Sequence, residues 1–398
     1  MREGMNIAIV CIAYNRTDSL KRLLASLEQA YYAMPATLII SIDKSNTDVV
    51  EQFADGYHWP HGEKRVAKHE QNMGLRAHML SLGSYFEEFD VLIVLEDDIT
   101  VASSYYSYAQ QCAEKYYGHS NIAGISLYSF SVNYQNHLPF TPAKSEYDVY
   151  LMNCAMSWGE VWMKPQWKAF IQWYEKHNED FHLPHLPACL NQWPKSSWLK
   201  YHTRYCIEEN KYFVYPYFSL STNNADPGVN FSHVDTLFQS NMLVSLQKHF
   251  NIPAAEDLAI RYDGFFQSKY LGTYVGIAEE ELCVDLFSDK PACLHKHFLL
   301  TDRVLPYKVV RSFALQLRPI ELNVILQREG KELWLYDTTQ PATPPQAPDR
   351  YLAYAYFYQK GFYKARTMIG LRRSLSLIKD LVADKISLIK KNHGIWKK

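Results

Sequence analysis

Glu96, Asp97 and Asp98 follow directly on the apolar run Val91–Leu95, and the chain turns apolar again at Ile99. Carboxylates set against a buried strand cost free energy unless something compensates them. A divalent cation is their natural partner. Oxygen ligands suit Mn²⁺ or Mg²⁺, and a small protein ligand set leaves room for phosphate oxygens and water. Successive residues of a turn point in different directions, so one acid can reach a metal while another meets a ribose hydroxyl; the ion would then neutralise a diphosphate leaving group. Taken alone, such a triplet is more often a charged loop capping the next helix. The residues around it decide between the two.

NIAIVCIAY (6–14) is rich in Ile and Val, as a strand buried on both faces requires. Thr17-Asp18-Ser19 offers helix-capping chemistry, and Leu20, Leu23, Leu24 and Leu27 share one helical face. ATLIISID (36–43) predicts a second strand ending in Asp43, RVAKHE (65–70) a weaker third, and Gly74 opens the helical stretch LRAHMLSLGSYFEE. VLIVL is then the fourth strand. Strands alternating with helices predict an α/β fold with a mostly parallel, Rossmann-like sheet flanked by helices. Ligands of such open sheets bind at the carboxyl ends of the strands. Asn15, Asp43 and the acidic triplet all fall there, and Asn72 lies just after the third strand, so the polar groups collect along one edge.

Further on, 104–117 reads as a helix, 121–129 as a strand, 151–177 as an apolar stretch passing into an aromatic helix, and KYFVYPYFSLS as a strand. Residues 250–337 give a mixed signal. TTQPATPPQAPDR (338–350) carries four prolines and reads as a linker.

AIVCIAYNRTDSLKRLLASL, LIISIDKS, HEQNMGLRAHMLSLGSYF and VLIVLEDDI together resemble the nucleotide-sugar domain of GT-A-fold glycosyltransferases. They are similar to family-2-like bacterial enzymes and to the Golgi enzyme that adds the first branching N-acetylglucosamine to N-glycans. The resemblance continues through SWGEVWMKPQW, WPKSSW and TNNADPGVNFSHVDTLFQ, and covers roughly residues 5–240. It implies that Asp98 ligates the metal bridging the two phosphates, while Asp97 and Glu96 contact its water shell and the sugar or ribose. Asp43 would hydrogen-bond uracil, Asn15 and Arg16 would line the nucleotide pocket, and Arg76 would approach the diphosphate. Trp158 and Gly159 would shape the floor under the donor sugar and acceptor. His233 would contact phosphate or serve as a further metal ligand.

The chain departs from this pattern at the general base. The Golgi-like pattern has a pair of acids after the tryptophan of WPKSSW, where Leu199 and Lys200 stand here. An inverting transfer needs a carboxylate to take the acceptor's proton. Glu160, between Trp158 and Trp162, is the first candidate, since partial burial would raise its pKa toward neutrality; a helix N-terminal Glu favoured by the macrodipole explains it as well. Asp226 and Asp235 are the fallbacks. His295 and His297 alternate as in a strand with both rings on one face, with no third metal ligand near them in sequence. Trp162, Trp167 and Trp173 read as core.

The chain has 398 residues, 47% apolar and 21% charged, with a formal net charge of −1. This composition fits a soluble globular protein and excludes a nucleic-acid footprint over the whole molecule. Aromatic content is 15%; flat rings with polar tips suit carbohydrate faces and ordinary cores alike. The seven cysteines are odd in number and show no CxxC spacing, which predicts reduced thiols and a cytoplasmic chain. The expected organisation is a GT-A domain over 1–245, a part of possible acceptor relevance over 246–337, the Pro-rich segment 338–350, and a basic amphipathic tail over 351–398. That tail is read either as lying on the inner face of an anionic membrane or as a solvated helix. The expected activity is metal-dependent, inverting transfer from a UDP-sugar to a saccharide, free or lipid-linked, in bacterial surface polysaccharide synthesis. A non-catalytic sugar-nucleotide-binding protein and a nucleotidyltransferase are the competing readings; the second normally brings a Gly-rich phosphate loop, and CIAYNRTDS has no glycine.

Overall fold

A computed structural model describes residues 4–226 and 236–346. His233, Asp235 and the basic tail lie outside the described residues. The first hundred residues fold as their pattern predicts: β1 (Ile7–Ala13), α1 (Thr17–Glu28), β2 (Thr37–Ile42), α2 (Val49–Gly56), β3 (Lys64–Lys68), α3 (Leu75–Ser81) and β4 (Val91–Glu96). The chain continues through β5 (Ile99–Val101), α4 (Tyr105–Tyr116), β6 (Ile122–Ser126), β7 (Val149–Met152), β8 (Glu160–Met163), α5 (Lys164–His177), α6 (Ala188–Gln192), α7 (Trp198–Glu208), β9 (Tyr212–Pro216), β10 (Ser221–Asn223) and β11 (Arg261–Tyr262). Nine of these strands form one sheet in the order β11-β7-β9-β6-β8-β4-β1-β2-β3. β1–β4, β6 and β9 point one way, and β7, β8 and β11 the other. The sheet is mostly parallel, with helices on both faces.

The strands along the middle carry β-branched runs because both faces are covered. Ile9 and Cys11 of β1 and Ile93 and Leu95 of β4 join Leu20, Leu23, Leu24 and Leu27 of α1 and the tyrosines of α4 in one core. All four leucines are fully buried, each contributing roughly 2 kcal/mol of transfer free energy. The opposite face is aromatic. Trp162 of β8 stacks on Trp167 of α5 with centroids 4.0 Å apart, and Phe170 of α5 stacks on His202 of α7 at 4.2 Å. Much of the aromatic content thus builds an ordinary interior.

Two local expectations change. α1 starts at Thr17 with Arg16 as its N-cap and no side-chain cap hydrogen bond. Thr17-Asp18-Ser19 therefore do not cap it, because β1 runs into the helix with only three residues between them, and the Ser19 hydroxyl turns to Asp226 instead, at 2.9 Å. His295 and His297 do not sit on a strand. They precede β13 (Phe298–Thr301), with the ring of His297 near Asp337 at 3.4 Å.

Residues 282–341 form a second sheet from β12 (Leu282–Asp285), β13, β14 (Tyr307–Phe313) and β15 (Leu333–Pro341), in the order β12-β13-β15-β14. β15 takes in residues 338–341 of the proline-bearing segment. Beside this sheet Glu321 is 3% exposed, and burial pushes its carboxyl up to about 7 against hydrogen bonds from its own backbone and from Tyr262. The folded value lies above the unfolded one of about 4.3, so this group favours the fold fully only below that pH, and its contribution is lost as pH rises to about 7. Glu321→Gln is expected to change stability little near pH 4.5 and to raise it by about 3 kcal/mol at pH 8. Urea unfolding at the two pH values checks this; an equal shift at both would refute it.

Candidate active site at the ends of β1 and β4

β4 ends at Glu96 and β5 begins at Ile99, so Asp97 and Asp98 are the whole turn. A distant segment holds this turn. β10 pairs antiparallel with β5, and the next residue, Asn224, donates to the Asp98 carbonyl from its backbone N–H at 2.8 Å and from its amide at 3.1 Å. Thr100 donates to the Asn224 side-chain oxygen at 3.0 Å. The backbone is pinned from one side while the three carboxyls point elsewhere.

Arg16, at the end of β1, is the cation among them. Its guanidinium donates to both oxygens of Asp97 and reaches Asp98 Oδ2 at 3.1 Å. Asp97 is 4% exposed; Asp98 keeps 22% of its side chain open. Asp226, three residues past β10, accepts from Ser19 and pairs with Arg22. Four acids thus meet two arginines. Burial pushes Glu96 up to about 8, with Asp98 and Asp97 adding repulsion and Ser157 donating in the opposite sense. Burial also pushes Asp97 up to about 6, outweighing Arg16. The cluster holds more negative charge than its own cations neutralise.

Arg16, Glu96, Asp97, Asp98 and Asp226 are therefore brought together as candidate site residues. The other sequence candidates make contacts of their own. Asp43 accepts from the backbone N–H of Lys44 and Met73 through Oδ1 and of Gly74 through Oδ2, at 2.8–3.0 Å, so it anchors the loop leading into α3. Asn15 is exposed. The Arg76 guanidinium donates to the Lys195 carbonyl at 2.8 Å and to the Tyr201 hydroxyl at 3.0 Å. Trp158 is half-buried against Tyr128 and Phe238. Gly159 has φ +98°, and a Cβ there would stand 3.1 Å from Leu127 and Ser221, so this position is closed to any larger residue.

Glu160 also needs correction. Alternation along β8 puts it on the aromatic face with Trp162. It is 1% exposed, accepts from Trp162 Nε1 at 2.5 Å and lies 3.7 Å from His202 Nδ1. Burial, rather than a tuned cleft, raises its pKa well above the usual range. An acceptor hydroxyl has no route to it in this structure. Lys200, where the resemblance leads one to expect acids, is itself buried and paired with Asp180 at 2.7 Å.

Ser19, Arg22, Ser157 and Asn224 escaped the sequence reading. Arg16, Ser19 and Arg22 recur every third residue at the start of α1, a spacing that puts them on neighbouring positions of one helix face. That signal was available. Nothing local marks Ser157 or Asn224, whose roles arise from strand pairing far along the chain.

Among the described residues, no three His, Cys, Asp or Glu side chains are grouped to hold a metal ion. The turn nevertheless presents a fitting donor. Asp98 Oδ1 is buried with no hydrogen-bond partner, a hard oxygen beside uncompensated negative charge. It suits a divalent cation whose remaining positions come from ligand oxygens and water.

No protein-family profile matches the chain, and no curated protein does. Among solved structures, a Pyrobaculum calidifontis mannosyltransferase in complex with GDP-Man and Mn²⁺ superposes with TM-score 0.36 at 11% identity, covering 54% of this chain and 55% of that one. S. aureus TarS 1–349 with UDP gives 0.36 at 13% identity, covering 56% and 61%. GalNAc-T7 with UDP, GalNAc and Mn²⁺ gives 0.35 at 14% identity, covering 55% and 43%. This chain spans between about two-fifths and three-fifths of each of those proteins, and what its site does has to be reasoned from its own residues.

Proposed function

We propose that this chain is a glycosyltransferase that binds a nucleotide-diphosphate sugar, with UDP as the nucleotide, at the ends of β1 and β4. The observation that carries the reading is the excess of carboxylates in the 96–98 turn, with Asp98 Oδ1 buried and unpartnered at the carboxyl edge of a mostly parallel sheet. Asp98 would hold Mn²⁺ or Mg²⁺, which when bound stabilises the charge of a departing diphosphate. Arg16 holds Asp97 and Asp98 in one arrangement and keeps Asp97 from rotating into solvent. Trp158, half-buried beside Gly159, would offer its ring to the donor sugar.

The transfer is a single, inverting displacement. An acceptor hydroxyl attacks the anomeric carbon, its proton passes to a carboxylate, and the nucleoside diphosphate leaves. Among the described residues Asp226 is the better placed of the two candidate bases, since it adjoins Asp97 and keeps 23% of its side chain exposed while Glu160 is buried. The acceptor is a saccharide of a bacterial surface polysaccharide, and the basic residues beyond 351 suit an acceptor carried on lipid at the inner membrane face. Among the described residues, no helix is long and apolar enough to cross a membrane.

A second reading, nucleotide-sugar binding without turnover, draws on the burial of Glu160 and on Lys200 in place of an acid. One set of measurements separates them. UDP with Mn²⁺ is expected to raise the melting temperature more than GDP or CMP with Mn²⁺, because only the folded state binds it. UDP release from a bound UDP-sugar is then expected to rise when acceptor is added. Binding without release selects the second reading, and no thermal shift with any nucleotide rejects both.

A further inference from the structure

Away from the carboxylate cluster, a cavity of about 460 Å³ lies between the segment around α6 and the turn that follows β12. Its size falls within the range of about 300–1,000 Å³ found for small-molecule sites. One wall holds His182, Pro184 and Gln192, the other Asp289, Pro291 and Arg303.

The second wall is braced. Arg303 donates to the carbonyls of Ser288 at 2.6 Å and Lys290 at 2.8 Å and pairs with Asp285 at 3.1 Å. Asn136 donates to Asp289 Oδ2 at 2.6 Å, which fixes that carboxyl. The two walls also touch, through the Cys293 thiol directed at the Pro184 carbonyl. A cavity bounded by fixed polar groups is preorganised for a ligand.

Its charges select the ligand's chemistry. Lys290 and Arg303 are each matched by an acid, Asp263 and Asp285. Asp289 accepts from an amide, so with both cations matched the cavity holds no uncompensated positive charge to draw phosphates and carboxylates. Amide, imidazole, guanidinium and carboxyl groups alternating with proline faces match a neutral molecule bearing many hydroxyls. Burial holds Asp289 up at about 6, and a partly desolvated carboxylate is a stronger acceptor for hydroxyl donors once ionised.

The cavity is also linked to the region of α3. The segment carrying His182 and Gln192 continues into Trp193, whose carbonyl accepts from Lys200, and Lys195, whose carbonyl accepts from Arg76. We propose that this cavity binds a neutral mono- or disaccharide unit, the part of the acceptor remote from the hydroxyl that reacts. Its role as acceptor rests on the sugar-transfer reading; its binding of saccharide does not.

The test uses the full chain, with lactose, cellobiose and N,N′-diacetylchitobiose as probes in saturation-transfer NMR at pH 7.5. At least one disaccharide is expected to show transfer, and the signal is expected to fall at least about fivefold in both Asp289→Asn and Gln192→Ala, consistent with loss of one charge-assisted or neutral hydrogen bond. The thermal shift with UDP and Mn²⁺ is expected to be unchanged in both variants, which also shows that they fold. Absence of transfer from all three disaccharides, an undiminished signal in both variants, or displacement of the sugar by inorganic phosphate would overturn the proposal. Loss of the UDP shift in the unaltered protein would instead strike the donor reading and leave the saccharide result standing.

Discussion

Asp98→Asn is expected to lower sugar transfer about a thousand-fold, equivalent to ~4 kcal/mol of transition-state stabilisation, while the protein stays folded. The substitution keeps the side-chain shape and removes the charge. It takes the negative charge from the buried, unpartnered Asp98 Oδ1, which is suited to hold a cation against a leaving diphosphate. Fold stability has little stake in it. Arg16 retains Asp97, and Asn224 grips the Asp98 backbone rather than its carboxyl. Glu96 loses a repulsive neighbour. Urea midpoints equal to or slightly above wild type should therefore accompany the loss of UDP release. Turnover within tenfold of wild type would remove Asp98 from the metal assignment, and the proposed donor site with it.

Trp162→Ala should have the largest effect on stability, about 5 kcal/mol, from the transfer and cavity terms of a large buried ring together with a buried acceptor left unmet. Trp162 is 1% exposed, stacks on Trp167 and meets Trp198 edge-on at 5.6 Å. It also supplies the hydrogen bond to Glu160, whose other oxygen already has none. With a typical total of about 5–15 kcal/mol, the variant would be marginal. Trp162→Phe keeps most of the ring and loses the N–H, so it should cost clearly less. Urea unfolding by far-UV circular dichroism compares the two. A loss below about 1.5 kcal/mol for the alanine variant, the size of a volume-conserving swap, would show that the aromatic layer is not the packed unit described.

The first four strands were legible because period and composition agreed: β-branched runs, leucines at helical spacing, polar residues where the strands stop. The acid cluster was legible for the same reason, since a triplet after a buried strand must lie at the sheet edge. What failed had causes outside local pattern. Glu160 looked poised because two tryptophans flank it, yet its parity on β8 faces it into the interior. The partners of Arg76, the Lys195 carbonyl and Tyr201 of α7, lie more than a hundred residues away and leave no local sign. The second sheet was missed because β14, with Lys308, Val309, Val310 and Arg311 all exposed, carries no alternation, and because the buried start of β15, Leu333–Tyr336, reads equally as a helix or a strand.

The 97–98 turn is fastened by residues more than a hundred positions later in the chain. Closing so long a loop carries an entropic cost before any contact rewards it, and non-local pairing of this kind forms slowly. During synthesis, a nascent chain that has emerged only through β9 would possess the acids but neither their clasp nor Asp226. The acid turn is therefore completed well after the strands that carry it, once residues 221–226 have emerged.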